Sequence, residues 1–227
     1  AAQQGTAAAQ VNASLEDVAG ELGRRDLEHL VHRLDDLFER FRDGRAHLRV
    51  AKICDQHLGD PERAGRSLRA VLQRDEDNGD ALARLVRLER IRGRDEEALR
   101  LAKKLLSVVQ NESHRAEVMT ELAELERARH QNGAAAANAF TALGIQGPSG
   151  RAAEVYKELI ADAPEHATWD DYATGLMSFL EKKTGGGKEV SATYRELAWV
   201  FSEAHNRPDR AIAALREGVA ACPNDEA

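Results

Sequence analysis

At 227 residues, with 42% apolar side chains and 39 acidic against 32 basic residues, the chain is long enough for one or two domains or for one elongated stack. Its net charge of −7 argues against a nucleic-acid binder, whose surface should be strongly basic, and aromatics at only 4% argue against a deep ligand cavity. No apolar run approaches the roughly 20 residues that span a bilayer, so no membrane insertion is expected.

In chain order, residues 1–13 are rich in Ala and Gln without periodicity and read as a disordered tail. Residues 14–44 read as N-terminal capping helices. Ser14 with Asp17 resembles a helix start, and Leu15, Val18 and Leu22 line one face. Asp26 is placed to cap a second helix bearing Leu27, Leu30, Val31 and Leu34, which Asp43-Gly44 breaks. Residues 45–145 read as a first run of helical hairpins whose corners are marked chemically. In Gly59-Asp60-Pro61 a glycine ends one helix, an aspartate caps the next and a proline suits its first turn. Asn78-Gly79-Asp80, Gly93 with Asp95, and Asn132-Gly133 mark the other corners. From Gly144 to Gly150 three glycines and a proline interrupt the rhythm, and 146–150 is read as a hinge before a second run, 151–227. Thr184 to Lys188 is read as a flexible loop. No stretch alternates as a strand does, so the fold class is all-α, with roughly eleven helices.

One pattern recurs along these helices: a small residue, a larger one four later, and an apolar or small one three beyond. It reads Ala64-Leu68-Val71, Ala98-Ala102-Leu105, Ala136-Phe140-Leu143, Ala152-Tyr156-Leu159 and Ala211-Leu215-Gly218. The first two copies lie 34 residues apart, a period that points to stacked helical hairpins. Each hairpin is apolar on one side and needs a neighbour to bury it. Ala64 and Ala98 let helix backbones approach, while Leu68 and Leu105 fill the gaps, each buried Leu contributing about 1.5–3 kcal/mol.

Trp169-Tyr172-Ala173-Leu176, Tyr194-Leu197-Ala198-Phe201 and, more loosely, Leu82-Leu85-Val86-Glu89 have the look of first helices. The recurring pattern, closed by Pro164 and Pro223 in its last two copies, has the look of second helices. In this the chain resembles the tetratricopeptide repeat family over about residues 45–223. The resemblance implies an α-solenoid, a right-handed superhelix whose concave groove is lined by the first helices. Two departures stand out. The corners near Gly59 and Asn206 are one residue longer than the family pattern. Helices 134–145 and 151–162 both carry the second-helix pattern, so one first helix is expected to be absent or remodelled.

On the first helices Arg45, Arg49 and Lys52 share one face, and Arg84, Arg87 and Arg90 share the next. The following first helix offers Glu117, Glu121 and Glu124 instead. A groove lined this way changes sign along its length and suits a partner of complementary charge. Trp199, on the groove side by the same register, is the aromatic anchor candidate among aromatics concentrated in 169–201, most of which are expected in the core. The family's carboxylate clamp needs asparagines at set groove positions, and these are missing.

No catalytic, cofactor-binding or metal-ligating residue is assigned. Thr184-Gly185-Gly186-Gly187-Lys188-Glu189 misses the phosphate-loop pattern, since Glu189 stands in place of the hydroxyl residue and a helix precedes it. Gly144-Gly147-Gly150 lacks strand context and spacing for a dinucleotide site. His29 and His32 have no further ligand near them, and Cys54 and Cys222 read as small apolar residues.

These readings converge on a non-enzymatic scaffold or adaptor that binds a protein or peptide, acidic by preference, in a concave groove. Two alternatives stand beside it: a regulatory or targeting arm of an enzyme whose catalytic domain lies outside this chain, and a self-association module using residues 27–41. The Ala/Arg/Gly bias suits a GC-rich bacterial genome, and the expected compartment is the cytoplasm, with the periplasm as alternative. The chain is expected to be part of a longer protein.

Overall fold

The computed structural model describes residues 23–41, 44–183 and 185–223, with the side chains of 37–46 outside that description. The expected tail 1–13 and residues 14–22 of the capping segment lie outside the described residues. Two compact units divide the chain between Leu101 and Ala102. All described elements are helical, with no strand among the described residues.

The first unit holds α1 (Arg24–Phe41), α2 (Gly44–Ile53), a π-helical turn π1 (Cys54–Leu58), α3 (Pro61–Leu72), α4 (Gly79–Ile91) and the first half of α5 (Asp95–Val108). Here α2 packs on α1 and α3, and α3 on α4. The second unit holds the rest of α5, then α6 (Glu112–Ala128), α7 (Asn132–Gln146), α8 (Arg151–Asp162), α9 (Trp169–Lys182), α10 (Lys188–Trp199), a second π-helical turn π2 (Val200–Ala204) and α11 (Pro208–Ala221). α7 packs along α6 and also meets α8 and α9, while α10 pairs with α11.

Helix starts follow the capping chemistry of the sequence. The Asp60 carboxylate accepts the Arg63 amide at 2.9 Å, with Pro61 in the first turn. Asn78 accepts the Ala81 amide, Asn111 the His114 amide, and the Thr168 hydroxyl the Asp171 amide. α1 starts earlier than its expected cap: the Gly23 carbonyl takes the first helical bond from Leu27, and Asp26 sits in the first turn.

The recurring small residues are where helices touch. Ala64, Ala98 and Ala152 are fully buried, and Ala136 and Ala211 nearly so. Leu68, Val71, Leu105, Leu143, Tyr156 and Leu159 fill the spaces beside them. Leu215 departs from the pattern: it is 45% exposed on α11, in line with exposed Ile212 and Val219. Of the two expectations, an absent or a remodelled first helix, the packing fits the second. α8 meets both α6 and α7, α9 lies against α7, and the helices alternate without a gap as α6/α7, α8/α9 and α10/α11. α8 holds a first-helix place although it carries the second-helix pattern, because Ala152, Tyr156 and Leu159 suit burial against α7 equally well.

Four corners share one design. In them the last turn before the corner is closed by an amide reaching back over a residue in the left-handed conformation, whereas α8 ends at Ala163 without one. Arg94 donates to the Glu89 carbonyl across Gly93 (φ 69°), and Gln131 to the Glu126 carbonyl across His130 (φ 58°), both at 2.8 Å. The two corners expected to be one residue longer reach one residue further: Asp60 donates to the Cys54 carbonyl across Gly59, and Arg207 to the Phe201 carbonyl across Asn206. The extra residue is taken up as a π-helical turn inside the first helix, π1 in one case and π2 in the other, so each corner stays tight.

Two stability predictions follow from this packing. His130→Gly removes the Cβ strain of a left-handed non-glycine residue and should raise stability by about 1 kcal/mol, read as a higher thermal midpoint. Ala98→Phe should overpack a fully buried contact and cost on the order of 1–3 kcal/mol. An unchanged midpoint for Ala98→Phe by circular dichroism melting contradicts the close-packing account.

Candidate functional site

In the first unit, burying Leu82, Leu85, Val86 and Leu88 fixes the rotation of α4. That rotation leaves Arg84, Arg87 and Arg90 along one edge at one-turn spacing. Arg87 is exposed, while Arg84 and Arg90 are half-buried. Arg87 forms an ion pair with Asp55, a residue of π1, and so joins α4 to the extended end of α2. Arg84 forms no ion pair with a described residue, whereas Arg90 is engaged by a neighbour. Arg49 and Lys52 lie half-buried on α2, each with an interaction of its own. The Arg45 side chain falls outside the described residues.

Beside this edge the structure holds an arrangement absent from the sequence reading. Glu89 is 0% exposed, and its carboxylate accepts from Arg69 at 2.6 Å, Arg92 at 3.1 Å and Arg94 at 3.4 Å. Arg92 and Arg94 also face Glu62, at 3.3 and 3.6 Å. Gly65 leaves the room: a Cβ there would stand 3.0 Å from an Arg92 guanidinium nitrogen. A buried carboxylate is tolerated only when paired and hydrogen-bonded, and here three guanidinium groups from α3 and the α4 corner do this. The network clamps the hairpin and consumes three of the arginines that composition alone would assign to the surface. The sequence signal was present. Glu89 takes the last place of Leu82-Leu85-Val86-Glu89, where the parallel stretch ends in Phe201, so the place is an inward one. Glu126 repeats the theme in the second unit, 1% exposed, accepting from Asn138 at 2.8 Å and facing Lys103 at 3.5 Å.

In the second unit Glu117 is exposed and Glu121 half-buried on α6. Glu124 accepts from Arg151 at 2.9 Å, joining α6 to α8. Trp199 is 45% exposed and meets Trp169 edge-on at 5.1 Å between ring centroids. It ends a run of five aromatic rings that passes through Trp169, Tyr172, Tyr156 and Phe140 at spacings of 5.6, 6.1 and 6.4 Å. Tyr172 is fully buried, and its hydroxyl donates to Glu196 at 3.1 Å while Lys157 pairs with the same carboxylate. Burial, reinforced by Glu196, pushes the Tyr172 phenol far above its ordinary range, and burial pushes Tyr156 up to about 12. Both phenols therefore serve as neutral packing groups, with Trp199 as the wet end of the run.

Burial pushes the Cys54 thiol up to about 11, which leaves it without thiolate at neutral pH. In the loop read as flexible, Gly186 and Gly187 lie against the end of α11. The Gly187 amide donates to the Cys222 sulfur at 3.3 Å, and a Cβ on Gly186 would collide with the Ala221 carbonyl. Among the described residues no group of His, Cys, Asp and Glu could hold a metal ion, and no helix is long and apolar enough to cross a membrane.

Residues 57–122 match the tetratricopeptide repeat family model, and that segment is a tetratricopeptide-repeat segment. No curated protein matches the chain. Among solved structures the chain is similar to YrrB, described as a TPR protein with an unusual peptide-binding site. That similarity has 13% identity and a TM-score of 0.52, covering 85% of this chain and 93% of that one. It is similar also to PilW, a type IV pilus biogenesis factor, with 18% identity, 96% coverage of both chains and a TM-score of 0.51. A MamA double mutant (RS-1) aligns with 11% identity, 81% of this chain, 97% of that one and a TM-score of 0.50. At such identities the likeness shows the fold: an all-α chain matching tetratricopeptide solenoid structures. Proteins of this fold generally mediate protein–protein interaction and are typically non-catalytic scaffolds.

Replacing Glu89 with Gln leaves three guanidinium groups around a neutral amide. The expected cost is about 3 kcal/mol, read as a fall in the urea midpoint, with Arg87→Gln at the exposed edge costing less than about 1 kcal/mol.

Proposed function

We propose that the chain is a non-enzymatic interaction scaffold that holds an acidic peptide or protein segment against the basic edge of its first unit. The observation that carries this reading is the half-buried Arg84 on α4, without an ion pair to a described residue and one turn from exposed Arg87. A guanidinium placed this way has donors unspent, whereas Arg69, Arg92 and Arg94 are occupied by Glu89. Arg49, Lys52 and Arg90 extend the same charge, and Arg45 belongs to the proposed set by its place in the sequence. The partner's carboxylates compete with Asp55 for Arg87, so binding exchanges one exposed pair for another and loses little. Trp199 is proposed as a separate anchor on the second unit, where an exposed ring backed by Trp169 offers a rigid apolar contact. Peptide binding by similar repeat proteins such as YrrB supports the class of activity. The proposed compartment is the cytoplasm.

The test is an affinity pull-down with wild type beside Arg84→Glu/Arg87→Glu, both checked by circular dichroism for an unchanged fold. Loss of a specific protein band with the variant, and weakening of the wild-type complex as salt rises, are the expected outcomes. Identical bands at every salt concentration dismiss the basic edge as the site.

A further inference from the structure

Within the second unit, α9, α10 and α11 leave a cleft of about 370 Å³ between them. Its apolar lining comes from Met177 and Leu180 on α9, Tyr194 and Leu197 on α10, and Phe201 in π2. Met177 is 43% exposed, which is unusual for a thioether placed among four other apolar side chains. The cleft has built walls. Gly218 on α11 brings its backbone against Tyr194, where a Cβ would stand 2.8 Å from the Tyr194 Cβ, and this contact seats Tyr194 in the lining.

The charged residues around the cleft are Glu181 on α9 and Glu217 and Arg210 on α11. None of the three forms an ion pair with a described residue. Their neighbours behave otherwise: Lys182 pairs with Glu112 at 3.4 Å and Lys183 with Glu189 at 2.8 Å. Glu181 falls in the last turn of α9 and Glu217 in the C-terminal part of α11, where the carbonyl ends of both helices add negative potential. Glu217 also lies near the Tyr194 phenol, which burial first and Glu217 second raise above its ordinary range. The cleft is therefore apolar along its lining and acidic at one end.

We infer that this cleft is a docking site for a peptide segment that presents a bulky aliphatic side chain followed by a Lys or Arg. The aliphatic group covers Met177, Leu180 and Phe201, and the cation lies between Glu181 and Glu217. Both carboxylates are exposed and already on the rim, so engaging them requires no burial of an unpaired charge. This site takes the opposite charge from the one proposed for the basic edge of the first unit, and it stands or falls independently of that reading.

The chain's two methionines make the test direct. Met177 lines the cleft, and Met119 is packed against the core as an internal reference. Protein labelled with 13C at the methionine methyls is titrated with acetyl-Ala-Leu-Leu-Arg-Ala-amide and with the same peptide carrying Glu in place of Arg. The expected result is a saturable shift of the Met177 signal by the Arg peptide, with Met119 unmoved. The Glu peptide and the Glu181→Gln/Glu217→Gln variant should each weaken that binding by about fivefold or more. Arg84→Glu/Arg87→Glu should leave the titration unchanged. No saturable shift at Met177, equal response to both peptides, wild-type binding by the Gln variant, or movement of Met119 alongside Met177 overturns the proposal.

Discussion

The structure depends on backbones that approach closely at residues without bulk. Gly175 on α9 sits where a Cβ would stand 2.7 Å from a Leu143 methyl on α7, and Gly218 meets Tyr194 in the same manner. α7 brings Ala135, Ala136, Ala139 and Ala142 to its buried faces. With so many small residues at the contacts, the space between helices is filled by single leucines and a few aromatic rings. The scarcity of aromatics in the composition fits this close packing.

A second constraint is the corner, where one helix must stop and the next begin within a few residues. A left-handed residue and one long-range amide bond accomplish this in four places, with glycine at Gly59 and Gly93 and a non-glycine at His130 and Asn206. Where the sequence holds one residue more, the helix widens into a π turn and the corner geometry survives. Both π turns contribute to a candidate surface. π1 carries Asp55, the partner of Arg87, and π2 carries Phe201, which lines the acidic cleft. Surplus residues absorbed in a helix turn side chains to angles that regular repeats do not reach, and this is one physical route from a degenerate repeat to a specific surface.

Much of the fold was legible because small-large spacing and capping chemistry are local signals. Ala64-Leu68-Val71 is buried as its spacing demands, and Asp60-Pro61 starts a helix as its chemistry demands. The place of α8 stayed open between an absent and a remodelled first helix because Ala and Leu at helical spacing say that a face is buried without saying against what. Leu215 failed for a related reason: burial needs a covering neighbour, and exposed Ile212, Leu215 and Val219 have none among the described residues. Of the candidate site, residue types were readable and their engagement was not. Arg69, Arg84, Arg87 and Arg92 look alike in sequence, yet one buried carboxylate, Glu89, separates the structural arginines from the available ones. That separation is a tertiary fact, set by Gly65 and by the rotation of α4.

Charge accounting then locates recognition more sharply than charge counting. Arg127 is shared by Glu158 at 2.5 Å and Asp162 at 2.6 Å, and Arg151 by Glu124 and Glu154 at 2.9 and 2.5 Å. Such groups gain little from an incoming partner, since any new pair must replace an existing one of similar strength. A side chain held in place by packing but lacking a counter-charge gains the whole interaction. Half-buried Arg84 meets that condition beside a basic edge, and exposed Glu181 and Glu217 share the lack of a counter-charge beside an apolar cleft. The net charge of −7 hides this, because paired and unpaired groups count equally in a sum. Two units of one acidic chain can therefore offer surfaces of opposite sign, each defined by what its own hairpins leave unneutralised.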